Sequence, residues 1–197
     1  MILASQSPRR RELLAELGYA LTILPADIDE TPKADESPEE LVDRLARGKA
    51  EASRRIAAEK RLSDADGLLV AADTIVWDDD GRVLGKPSDE EDARRMLRAL
   101  AGQVHHVSTG CCVIALGKDN SAARSASFVV TTDVEFWPLN ETQIEAYVAT
   151  GEPMDKAGAY GIQGLGRALV KSISGDYFNI VGLPVSRLLR ELDALVG

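Results

Sequence analysis

A carboxylate inside an apolar strand needs a partner. Asp73 interrupts the run "LLVAADTIVW", and an unpaired carboxylate there would cost several kcal/mol. It must meet a cation, a metal or backbone donors. The plainer reading is an aspartate that ties down a turn at a strand end. "TIVW" continues the strand beyond it, which favours a functional role. A second charged group stands in "LVDRLARGKAEASRRI". On a helix of about 100° per residue, Leu41, Leu45, Ala52 and Ile56 fill an arc of about 60°, and Lys49 falls about 20° beyond it on the side of Val42. A lysine at the border of a buried face either snorkels its charge outward or presents it to a cleft.

The opening "MILASQSPRRRELL" adds arginines at 9, 10 and 11. Ser7 is a good N-cap and Pro8 suits the first helical position. The start of a helix already carries partial positive charge and favours acidic residues. Arginines there gain a purpose if they hold an anion, with amide groups and guanidinium forks converging on it. A solvated basic patch is the even alternative. "LGKP" puts Lys86 between a short strand and a helix, where a plain turn is the simpler reading. "DKAGAYGIQGLG" has glycines at 158, 161, 164 and 166 with Gln163 among them. Such a segment is no continuous helix, and it can bring backbone and a carboxamide close to a flat ligand. It is neither a dinucleotide fingerprint nor a P-loop.

The elements that carry these groups follow from pattern and caps. "MILAS" and "ALTILPA" read as strands around the arginine helix, which Gly18 ends. After the acidic loop "DIDETPKADE", Ser37, Pro38 and Glu40 open a long helix with a capping box. "GLLVAADTIVW" is a buried strand and "DDDG" turns the chain. Ser88 and Glu91 box the start of the helix "SDEEDARRMLRAL", which Gly102 ends. Strands near 103–116 and 124–137, joined by "GKDNSA", form an antiparallel hairpin. A helix near 140–149, the glycine-rich segment, a strand and turn followed by strand or loop, and a helix from about 184 complete the chain. The pattern implies a mixed sheet covered by helices.

The 197 residues suffice for one sizeable core, so residues 1–197 are expected as one domain, which a cleft can divide into two lobes. The net charge of −9 argues against nucleic acid and anionic membranes as partners. No apolar run approaches the roughly 18 residues of a membrane span, and the short apolar start is no secretion signal. Cys111 and Cys112 are adjacent and bridge poorly, and two ligands make no zinc site; they read as reduced core residues of a cytosolic protein. His105 and His106 point to opposite faces of a strand, with no third ligand at a suggestive spacing.

The segments "LASQSPRRRELL", "DIDET" with "RLARGKA", "AADTIV", "LGKP", "TGEPMDKAGAYGIQGLG" and "GDYFNIVGLP" together resemble the Maf family of nucleoside triphosphate pyrophosphatases. They come in family order over nearly the whole chain. The resemblance implies an α/β fold with a mixed, bent sheet and a central cleft, similar to inosine-triphosphate pyrophosphatases. It implies a cytoplasmic enzyme that uses Mg²⁺ or Mn²⁺, with a homodimer as an open option. "SPRR", "ADT" and "GIQG" look like the dTTP/UTP branch, modified pyrimidine nucleotides included as candidate substrates. The alternatives are the same chemistry on 7-methyl-GTP or other modified purines, and a nucleotide-binding regulator of cell division.

By the same resemblance Asp73 is the general base, a metal ligand, or both. Arg9, Thr74 and Gln163 are tied to substrate choice. Arg9, Arg10, Lys49 and Lys86 go to the phosphates, and Glu30 lies near the metal. The Gln163 carboxamide offers a donor beside an acceptor, the complement of the uracil and thymine edge. Turnover of dTTP and UTP is therefore expected well above that of CTP, ATP and GTP.

Overall fold

A computed structural model describes residues 1–62, 67–117 and 122–196. The strands are β1 (Ile2–Leu3), β2 (Thr22–Ile23), β3 (Leu68–Trp77), β4 (Val83–Leu84), β5 (Val104–Leu116), β6 (Ala122–Phe136) and β7 (Val170–Ser174). The helices are α1 (Pro8–Glu16), α2 (Pro38–Glu59), α3 (Glu90–Leu100), α4 (Glu141–Val148), α5 (Tyr177–Val181) and α6 (Val185–Val196). Among the described residues seven strands form one mixed sheet, ordered β2-β1-β3-β5-β6-β7, with β4 paired antiparallel to β3. β1 pairs parallel with both β2 and β3. Cross-strand bonds join His106 to Asp133 and Ser108 to Thr131. One index falls as the other rises, so β5 and β6 run antiparallel as expected. The "GKDNSA" turn has residues 118–121 outside the described residues.

The chain divides into two compact units. The first comprises Met1–Asp73, Thr109–Val130 and Gly182–Gly197. Side chains alternate across a strand, so Leu68, Val70 and Ala72 pack with Leu14 of α1 and Leu188 and Leu192 of α6. Leu69 and Ala71 point the other way, onto Ala46, Ala50 and Ala57 of α2. A sheet covered on both faces explains the unbroken apolar run. Cys111 and Cys112, both free and buried, divide between the same two layers. α2 lies close on β5 at Gly110, where a Cβ would fall inside the Val42 carbonyl group.

The second unit comprises Thr74–Ser108 and Thr131–Val181. Its core gathers Met96, Leu97 and Leu100 of α3, Ile144 and Val148 of α4, and Val134 and Phe136 of β6. His105 is fully buried there, bonded through Nε2 to the Tyr160 hydroxyl at 2.8 Å, and its Nδ1 has no hydrogen-bond partner. Its neighbour His106 faces the other way, with one ring nitrogen on Asp133 (2.8 Å) and the other on Asp79 (2.9 Å).

Most predicted caps stand. Ser7 caps α1, and Ser37 with Glu40 forms the capping box of α2. The α3 cap is shifted by one residue: Asp89, not Ser88, accepts the Asp92 N–H at 2.8 Å, and Asp92 reaches back to the Ser88 N–H at 3.0 Å. The short acidic side chains outcompete the Ser88–Glu91 pair for the same orphan amides. The strand or loop expected after Gly175 is helix α5, started by the Asp176 carboxylate accepting the Phe178 N–H at 2.8 Å. The glycine-rich segment folds as short 3-10 turns over Glu152–Asp155, Ala157–Ala159 and Gly164–Leu169.

Candidate active site

The parity of β3 decides where Asp73 points. It shares the face of Leu69 and Ala71, which is the face α2 covers. Lys49 lies on α2 between Ala46 and Ala50, both buried against that face. Its ammonium reaches Asp73 Oδ1 at 2.5 Å and Glu30 Oε1 at 2.7 Å. Asp73 and Lys49 are largely buried, with 13% and 16% of their side chains exposed, while Glu30 is 58% exposed. One cation thus joins a strand, a helix and the acidic loop after β2. The buried carboxylate finds a lysine, and the lysine turns inward instead of snorkelling.

The arginines of α1 divide. The first turn of the helix holds no acidic residue. Arg10 is half-buried; its Nε donates to the Gly182 carbonyl at 2.7 Å and its Nη1 to Ser5 Oγ at 3.1 Å. Burial lowers its pKa and the Asp73 charge opposes that shift. Arg10 therefore braces the segment before α1 against the segment before α6. Arg9 is half-buried and makes no ion pair or hydrogen bond among the described residues, so its guanidinium is available to an anion.

Thr74, Lys86 and Gln163 belong to the second unit. Thr74 is half-buried and follows Asp73 directly, so it points to the opposite face of β3. Lys86 is exposed beyond β4, and Gln163 is exposed before the Gly164–Leu169 turn with no capping bond from its side chain. Glu30, Lys49 and Asp73 form a contact cluster.

Asp73 and Glu30 are hard oxygen donors converging on one cation, the Lys49 ammonium. That chemistry fits Mg²⁺ or Mn²⁺, which take one or two carboxylates and complete their shell with phosphate oxygens and water. Among the described residues no group of three or more His, Cys, Asp or Glu is placed to hold a metal.

Sequence reasoning passed over Glu152. Its carboxylate accepts the N–H groups of Leu165 (2.9 Å) and Gly166 (3.0 Å) and the Tyr147 hydroxyl (3.0 Å). The available signal was an acid four residues before Lys156 in a segment too rich in glycine to hold its own shape.

A family model described as Maf-like protein matches residues 1–195. The dTTP/UTP pyrophosphatase of Halalkalibacterium halodurans is 49% identical over 192 residues, covering 98% of this chain and 94% of the relative. That of Bacillus cereus (strain AH820) is 47% identical, covering 98% and 93%. The Staphylococcus aureus Ham1 protein aligns at 14% identity over 86% of this chain and 78% of its own, with a TM-score of 0.40, a likeness that decides nothing about activity. The family match spans nearly every residue, and so do relatives close to half identical: the chain belongs to the Maf-like protein family.

Proposed function

We propose that this protein hydrolyses dTTP and UTP to the nucleoside monophosphate and pyrophosphate. The observation that carries the proposal is the cluster in which Lys49 Nζ meets both Asp73 and Glu30. Relatives named dTTP/UTP pyrophosphatase, similar along almost the whole chain, support the choice of reaction and substrate.

Water attacks the α-phosphorus and pyrophosphate leaves. Such transfers depend on positioning and charge neutralisation more than on covalent chemistry. Asp73 accepts the proton of the attacking water or helps hold the cation. Lys49 neutralises two carboxylates in the free protein, and a triphosphate competes for its ammonium, releasing carboxylate oxygens as it binds. Arg9 donates to phosphate oxygens with a fork that makes no ion pair or hydrogen bond among the described residues. Lys86 adds exposed positive charge, and Arg10 supports the phosphate site through its brace on Ser5 and Gly182. A divalent cation held by Asp73 and Glu30 would supply further charge neutralisation at the phosphates.

Gln163, with Thr74, reads the base. O4 and N3–H of uracil or thymine match one donor and one acceptor of the carboxamide, and a carboxamide held in one orientation disfavours the reversed edge of cytosine. The reading carries with it a cytoplasmic location, where nucleoside triphosphates are held, and a homodimer as the assembly to test by light scattering. No described helix is long and apolar enough to cross a membrane.

The test is pyrophosphate release from a panel of nucleotides with Mg²⁺ or Mn²⁺. Turnover of dTTP and UTP should exceed that of CTP, ATP and GTP, and Gln163→Ala should narrow the gap. Equal kcat/KM for UTP and CTP sinks the base-recognition model. Preference for 7-methyl-GTP moves the protein to the purine alternative, and binding without release makes it a regulator.

A further inference from the structure

Base discrimination requires a held carboxamide, because a free glutamine flips to suit cytosine. The Gln163 side chain makes no hydrogen bond of its own among the described residues. Its backbone, by contrast, is fixed on both sides. The Gly161 N–H donates to the Tyr147 hydroxyl at 3.2 Å, and the Leu165 and Gly166 N–H groups donate to Glu152. The Tyr147 hydroxyl donates in turn to Glu152 at 3.0 Å. Glu152 therefore holds the loop directly at two and three residues after Gln163, and through the Tyr147 hydroxyl at two residues before it.

The glycines are there to let that happen. Gly164 has φ +65, and a Cβ on it would stand 2.6 Å from Glu152 Oε2. A Cβ on Gly166 would stand 2.6 Å from the Tyr147 hydroxyl oxygen. Lys156 steadies the carboxylate's own segment, its ammonium donating to the Glu152 carbonyl at 2.8 Å while its stem fills the space beside Gly161. Burial disfavours the Glu152 anion, but the two N–H groups and the hydroxyl outweigh it and hold its pKa below the usual glutamate value. The acceptor is an anion throughout the neutral range, and hydrogen bonds to an anion are the strong ones.

We propose that Glu152, acting with Tyr147, is a positioning residue for base selection, fixing the 161–166 backbone so that Gln163 presents its carboxamide in one orientation. The inference rests on the reading of Gln163 as the base-reading residue. A loop held only for stability would affect all nucleotides alike; a loop that aims Gln163 affects the ratio between them.

The experiment measures kcat/KM for UTP and CTP in the unmodified protein, Gln163→Ala, Glu152→Gln, Tyr147→Phe and the Gln163→Ala/Glu152→Gln double variant, with thermal melts of each. Glu152→Gln keeps the size but turns one acceptor into a donor facing backbone N–H groups. It should narrow the UTP/CTP ratio roughly tenfold, Tyr147→Phe should narrow it less, and the double variant should narrow it no further than Gln163→Ala alone. If Gln163→Ala narrows the ratio while Glu152→Gln and Tyr147→Phe lower both substrates equally, the positioning role is overturned and the base reading stands. If Gln163→Ala leaves the ratio unchanged, both fall. Should Glu152→Gln not fold, Tyr147→Phe decides: a ratio identical to the unmodified protein overturns the proposal.

Discussion

Replacing Asp73 by asparagine keeps its volume and removes its charge. Lys49 retains Glu30 as a partner at 2.7 Å, so the variant should fold and melt close to the unmodified protein. Loss of a general base costs about 10²–10⁴-fold in rate. Pyrophosphate release by Asp73→Asn at near-normal rate would show that another group does this work. That Asp73 needed a partner was legible from its apolar surroundings, and its parity with Leu69 and Ala71 marks the face it takes. The identity of the partner was less legible. Lys49 lies 24 residues away, and only the packing of α2 on that face brings it in. Arg10 is a similar case. Its Nε donates to a carbonyl 172 residues on, a contact no local pattern encodes.

Among the elements, α2 is the one whose placement the cluster depends on. Its cap was legible because it is local, but the stripe was only half legible: Leu41 and Leu45 are buried, Ala52 and Ile56 are half-buried, and the buried face runs on through Val42, Ala46, Ala50 and Ala57, past Lys49. Its depth on the sheet was not legible, because that is set by a missing side chain on β5. Gly110→Ala would put a methyl group into the Val42 carbonyl. Backbone on both sides leaves little room to relax, so the cost should reach or pass the top of the about 1–3 kcal/mol range for overpacking. A chain of this size loses about 2–4 °C in Tm per kcal/mol, which differential scanning will resolve. An unchanged melt would mean that α2 can lift from the sheet freely. The α3 cap was misread because several acids compete there for the same few amides and sequence alone does not rank them; α5 was missed because it is only five residues long and is opened by a single aspartate.

At the scale of the whole molecule, adjacent histidines set opposite limits on stability with pH. Burial first, and then the neighbouring charge of His106, lower the His105 pKa from 6.5 to about 4. Between those values the unfolded chain binds a proton that the folded chain refuses, so stability falls on acidification, by about 3 kcal/mol over the full window. Burial works against a charged His106, but hydrogen bonds to Asp133 and Asp79 outweigh it and raise its pKa. Its contribution is complete below 6.5 and is lost as pH rises through the raised value. Unfolding midpoints should therefore fall on both sides of a maximum near neutrality, and His105→Gln should flatten the slope between pH 6.5 and 4. A slope that survives the substitution would assign the acid limb to carboxylates. Cys111 and Cys112 carry a different consequence. Burial pushes their thiols up to about 12 and about 11, and these are the only two cysteines in the chain. Thiolate is the form that attacks oxidants and alkylating reagents, so both thiols should react slowly while the protein is folded. A molecule that has taken up a thiol label is one whose central strand has come open.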